Sequence, residues 1–185
     1  MSVFTNPTAL AKEHAAEYVA AVFGLLGDRN PLDVLERTPS LLKSAVASLS
    51  AAQVRRPEQE GKWSVLHVVR HLADSELVSA VRWRMVVAQN RASLVAYDQD
   101  VWAERLRYSH ADAEEALDEF TAVRRSNLRL LRSLSNEDWA RVGVHVERGE
   151  QTLADMVRLS AGHDLVHLNQ IDRILGHPTM ASTQC

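Results

Sequence analysis

Between Ser64 and Ala88 the chain carries Val65, Leu66, Val69, Leu72, Ala73, Leu77, Ala80 and Val81, with no Gly or Pro among them. Apolar residues recurring at three- and four-residue steps form one broad face of an α-helix, whereas a half-buried strand would need alternation. Ser64 stands where an N-cap belongs, and Trp63 before it can pack on Val68 as a hydrophobic staple. A helix this long, with so wide an apolar face, must bury it against other helices, which constrains the chain to helical packing.

The remaining punctuation cuts the chain in the same way. Asn6-Pro7 reads as an N-cap followed by proline at the first helical position, opening a helix that stops near Gly24 to Gly27. Thr38-Pro39 repeats the device before a helix of about Ser40 to Leu49. The polar stretch QNRASLVAYDQD contains a short helix from Val101 to Leu106. Ser109, with Asp112 three residues later, opens a long helix to about Leu134. Thr152 with Asp155 opens the last one, which ends at Leu175 ahead of Gly176-His177-Pro178. SNEDWARVGVHVERGEQ is the connection expected to hold extended backbone. No Gly-, Ser- or Pro-rich linker and no internal repeat divides the chain. The expectation is one domain over residues 1–185, an all-α four-helix bundle with short extra helices.

Composition excludes several classes of function. Acids outnumber bases 24 to 21, for a formal charge of −3; no concentrated positive face for nucleic acid is expected. The single cysteine, Cys185, excludes an internal disulfide and a cysteine zinc finger. No run of 18 apolar residues occurs, so no membrane span is expected. MSVFTNPTALAKEHAAEYV lacks the basic and apolar regions of a signal peptide, which makes the cytoplasm the expected location. There is no Gly-rich phosphate loop, no GxSxG and no cysteine near a histidine.

The chemistry lies in the histidines. His67/His71 and His163/His167 each differ by four, so on a helix the members of each pair project from one face, one turn apart. Such a pair offers two nitrogens to a metal ion, and a ligand from a facing helix leaves a position open for water or substrate. The same pairs also occur on solvated faces, and spacing alone leaves the two readings open. HxxxH lacks the glutamate of HExxH, so a zincin mechanism has no support. His110 and His145 carry no supporting spacing, and His177 belongs to the helix stop. Trp63, Trp83, Trp102 and Trp139 read as packing anchors, and Arg124-Arg125 with Arg129 and Arg132 as a solvated face.

The segment KWSVLHVVRHLADSE and the later HDLVHLNQI, with YDQDVW and GVHVERGEQTLADMVR between them, resemble the DinB-like (YfiT-like) superfamily of metalloenzymes over about residues 30–175. The resemblance implies an up-down-down-up four-helix bundle holding a divalent ion (Zn, Ni, Fe or Mn) through His71, His163 and His167. For His67 three roles stand open: a fourth ligand, a pocket acid or base, or a solvated residue near the helix start, the reading preferred here. Asp74 is placed either to orient a ligand or on the surface. Gln170 is placed to reach the open position or to bond across the helix seam. Tyr97, Asp98 and Gln99 line the pocket mouth or form a turn in which Asp98 or Asp100 caps a helix. Asp164 points about 100° away from His163 and falls outside the ligand set.

Relatives in this superfamily include transferases and isomerases that use a low-molecular-weight thiol. The resemblance therefore implies a thiol-dependent transferase first, with the thiol as co-substrate and a small-molecule substrate. A hydrolase using metal-activated water is the alternative, and a metal- or ligand-binding bundle without activity is the third reading. Bundle relatives often pair as dimers, which leaves a homodimer open as the assembly; the sequence does not decide it.

Overall fold

Ser64 caps a helix: its hydroxyl accepts from the His67 N–H, and the helix runs to Ala88. The computed structural model describes residues 11–89 and 91–176. In chain order the elements are α1 (Ala11–Leu26), α2 (Pro31–Ala47), α3 (Ala51–Arg55), α4 (Val65–Ala88), β1 (Ala92–Leu94), α5 (Gln99–Arg105), α6 (Ala113–Arg132), α7 (Asn136–Trp139), β2 (Val142–His145), β3 (Gly149–Thr152) and α8 (Leu153–Leu175). A 3₁₀ turn, Tyr108–His110, precedes α6.

The helices α2, α4, α6 and α8 form the bundle. Each of α2 and α4 packs on both α6 and α8, so α2 and α4 stand at opposite corners, as do α6 and α8. Leu35, Leu42, Leu72, Phe120, Leu168 and Ile171 fill the space between them and are almost wholly buried. The fifth long helix, α1, packs outside on α8. Gly162 permits that approach, since a Cβ there would stand 2.6 Å from the Val22 carbonyl oxygen. No helix among the described residues is long and apolar enough to cross a membrane.

Two helix starts differ from the sequence expectation. The second long helix begins at Asn30-Pro31, not at Thr38-Pro39: the Asn30 side chain accepts from Leu32 N–H at 2.9 Å, and Pro39 lies inside α2. Proline has no N–H to give the carbonyl four residues back, which is that of Leu35. That carbonyl instead accepts from Arg124 Nη1 at 2.8 Å. For α6 the cap is Asp112 itself, which accepts from Glu114 and Glu115 N–H, while Ser109 lies in the 3₁₀ turn. Thr152 caps α8 as expected, and Gly176 closes it at φ 69°. Asn6-Pro7, His177-Pro178 and Cys185 lie outside the described residues.

Extended backbone does occur in the segment that follows α7, as β2 and β3. The third strand, β1, was not anticipated; it pairs parallel with β2, and β2 pairs antiparallel with β3. In β2 the buried positions are Gly143 and His145, with Val142 and Val144 only half-buried. A Cβ at Gly143 would lie 2.7 Å from Val86 on α4 and 2.6 Å from Leu94, so only glycine lets the sheet close on the bundle there.

Candidate metal centre

His71 leaves α4 and His163 and His167 leave α8, two helices that pack directly on each other. Their three Nε2 atoms converge. His163 Nε2 stands 3.1 Å from His71 Nε2 and 3.1 Å from His167 Nε2. His71 and His167 are buried and His163 is half-buried. Trp63 covers the group from the helix start, its ring 5.0 Å from that of His71 and stacked at 6.4 Å on that of His167.

The donor set suits a divalent transition ion. His167 Nδ1 donates to Gln170 Oε1 at 2.8 Å, which places the proton on Nδ1 and turns a lone pair at Nε2 into the cluster. Burial holds all three imidazoles neutral, the ligand form: His71 is pushed well below the usual value, His163 to about 4 and His167 to about 3. The neighbouring imidazoles add to the effect at His71 and His167, and Arg124 adds to it at His163. Ligands held at about 2.0–2.1 Å around a tetrahedral ion stand about 3.3 Å apart, close to the separations found here.

The other sequence candidates fall elsewhere. His67 bonds through Nδ1 to its own cap, Ser64 Oγ, at 2.8 Å, and is half-buried rather than solvated; the converging group does not include it. Asp74 is buried, not on the surface. It accepts from Arg70 at 2.5 Å and from the Tyr108 hydroxyl at 2.6 Å rather than from His71, whose Nδ1 has no hydrogen-bond partner. Gln170 bonds within α8, to His167, rather than across a seam. Asp98 caps α5 and, with Tyr97 and Gln99, lines the cavity, so both readings of that segment hold.

Asp164 does not join the three converging histidines. It pairs with Arg124, which is buried and not part of a solvated face. Burial opposes that guanidinium's charge, and Asp164 with Glu76 more than offsets it, so its pKa is raised. Arg125, Arg129 and Arg132 are exposed as expected.

The cluster opens on a cavity of about 150 Å³. One wall is the α4 stripe His71, Ser75, Val78 and Arg82, at steps of four, three and four. Ser75 Oγ lies 3.3 Å from His71 Nε2 and 2.7 Å from the Tyr97 hydroxyl, and Tyr97 packs on Trp102. The hairpin turn adds His145, Glu147 and Arg148. Sequence spacing missed His145, because its alternation with Val142 and Val144 assigns the valines to the buried face. Arg82 carried a usable signal, standing eleven residues, about three turns, after His71.

The sequence model of the DinB superfamily matches residues 34–171. YfiT of Bacillus subtilis (strain 168), which carries the assignment of a metal-dependent hydrolase, is 29% identical over 149 residues, covering 78% of this chain and 84% of its own. A protein of Oceanobacillus iheyensis with the same assignment is 30% identical over 140 residues, 76% of this chain and 81% of the relative. The solved structure of YfiT, a four-helix bundle of unusual topology, superposes with a TM-score of 0.72 at 28% identity, over 80% of this chain and 87% of that one. With the helical bundle and its converging histidines in place, the match over most of its length means that this chain belongs to the DinB superfamily.

Proposed function

We propose that this protein is a metal-dependent hydrolase of small molecules, with His71, His163 and His167 as the three ligands of a divalent ion. The observation that carries the reading is the convergence of three neutral Nε2 donors at the wall of a cavity, with no fourth ligand beside them among the described residues. An ion held this way supplies a Lewis acid and lowers the pKa of water. Zn²⁺, Ni²⁺, Fe²⁺ and Mn²⁺ all suit the set.

The chain's own groups do the rest. Gln170 fixes the His167 ring. Trp63 excludes water from the covered side of the imidazoles. Burial raises the Tyr97 pKa, so its hydroxyl, 2.7 Å from Ser75 Oγ, remains protonated and can donate to a substrate oxygen. Asp74, Glu76 and Asp164 are engaged in ion pairs and are not available as bases. The hydrolase assignment of the relatives supports this alternative over the transferase; the thiol co-substrate rests on the family resemblance alone.

The test is elemental analysis of tag-free protein purified without added metal, followed by pH-stat assay on esters and amides. About one equivalent of a transition metal, and acid release that chelation removes and Zn²⁺, Ni²⁺ or Mn²⁺ restores without thiol, is the expected result. Protein that stays metal-free after incubation with those ions overturns the reading. Thiol consumption with an electrophile, without acid release, replaces it by the transferase.

A further inference from the structure

The cavity holds a second group of buried polar atoms, on the hairpin and the far end of the α4 stripe. His145 Nδ1 accepts from the backbone N–H groups of Glu147 and Arg148, at 3.2 and 3.3 Å. With that nitrogen accepting, the proton sits on Nε2, which is buried and has no partner. Burial, with Arg148 and Arg82 nearby, pushes His145 down to about 3, so the ring is a neutral N–H donor at pH 7.

Beside it stand two guanidinium groups. Arg148 donates from Nε to Gln151 Oε1 at 3.1 Å, and Arg82 donates to the Val95 carbonyl. Arg82 Nε is buried without a partner. Neither arginine has a carboxylate within ion-pair distance among the described residues. Burial and then Arg82 hold Arg148 down to about 10, against weaker opposition from Tyr18, Glu147 and Tyr97. Glu147 and, for Arg82, the Tyr97 ring 5.9 Å from its guanidinium carbon offset part of the two charges, and neither arginine is neutralised by a paired carboxylate. Half-buried cations and an unpaired, buried N–H lining one cavity cost free energy that an oxyanion would recover.

We propose that Arg82, Arg148 and the Nε2–H of His145 form an anion subsite in the cavity of the histidine cluster, so that the substrate carries a carboxylate or phosphate group. The inference rests on the hydrolase reading only in calling the bound molecule a substrate; the anion site itself needs no metal. Arginine supplies the planar fork that oxyanions favour, and the neutral imidazole adds a directed donor without further charge.

The experiment titrates ¹⁵N-labelled full-length protein with acetate, inorganic phosphate and neutral acetamide at constant ionic strength. It follows the His145 Nε2–H signal, identified by its loss in His145→Asn. A saturable shift with acetate or phosphate and none with acetamide is expected, weakened about tenfold or more in Arg148→Gln and in Arg82→Gln. Saturation by acetate alone assigns a carboxylate, and by phosphate alone a phosphate group. In His163→Ala, where the proposed ion is lost, anion affinity should stay within about threefold. An equal response to acetamide, or no saturation in the wild-type protein, overturns the proposal even if an arginine variant fails to fold. So does anion binding that disappears in His163→Ala and survives in Arg148→Gln, since it would belong to the ion. Failure to load metal would sink the hydrolase reading and leave this site standing.

Discussion

Two buried polar clusters share helices α4 and α8, and they are built on opposite principles. In one, Arg124 lies between Glu76 and Asp164, with Asn127 Nδ2 donating to Glu76 at 2.8 Å and the Leu35 carbonyl taking a further N–H. Charge meets charge there, and the guanidinium is matched by two carboxylates. In the other, His71, His163 and His167 direct three neutral nitrogens at one another at the edge of a cavity, with no carboxylate among them. The first cluster balances its charges within the protein and ties α2, α4, α6 and α8 together. The second is complete only with something added. Buried polarity marks scaffolding when its charges are matched within the protein, and marks a site when several donors are left aimed at a cavity.

The comparison breaks hardest at Arg124. Arg124→Met strands two buried carboxylates and should cost about 3–5 kcal/mol in chemical denaturation, whether or not metal is present. A loss below about 1 kcal/mol would show that the network contributes little to holding the bundle together. At the histidine cluster the effect should appear in metal binding instead. Gln170→Ala frees the His167 ring and should weaken metal affinity by about 10- to 100-fold, with little change in the stability of metal-free protein. Competition with a chelator measures this, and an unchanged affinity would remove Gln170 from the site.

The last effect concerns acid, and it is small per unit of pH. His145 is held at about 3 in the folded chain against about 6.5 unfolded, so below pH 6.5 the unfolded chain takes up a proton that the folded chain refuses. Stability therefore falls as pH drops from about 6.5 towards 3, by at most about 1.4 kcal/mol per unit from this group. His145→Asn, whose amide oxygen can accept the same backbone N–H groups, should show a shallower fall between pH 6 and pH 4 in urea titrations. Parallel curves would mean that His145 is not held neutral.

Much of the converging histidine group was legible: local spacing paired His163 with His167, and the family resemblance, not spacing, chose His71 over His67. Caps at Ser64 and Thr152 fix the phase of α4 and α8, and the four-residue step in His163/His167 survives folding intact. The identical step in His67/His71 misleads, because His67 sits in the first turn, where the Ser64 hydroxyl claims its ring. Long-range pairing was illegible. Arg124 looks like its exposed neighbours until α4 and α8 bring carboxylates to it from 48 and 40 residues away. His145 is buried because Gly143, two residues before it, lets its strand approach α4, and alternation of valines cannot reveal that.

The proline within α2 bears on how this protein could be stabilised. Removing proline from a helix interior is an obvious engineering step, since proline costs about 3 kcal/mol there relative to alanine. At position 39 the expected gain assumes that the Leu35 oxygen is waiting for the restored N–H, but Arg124 already holds it. A better helix former would have to share an acceptor with the residue that binds four helices into one body. A defect judged from α2 alone is, for the whole molecule, a docking point.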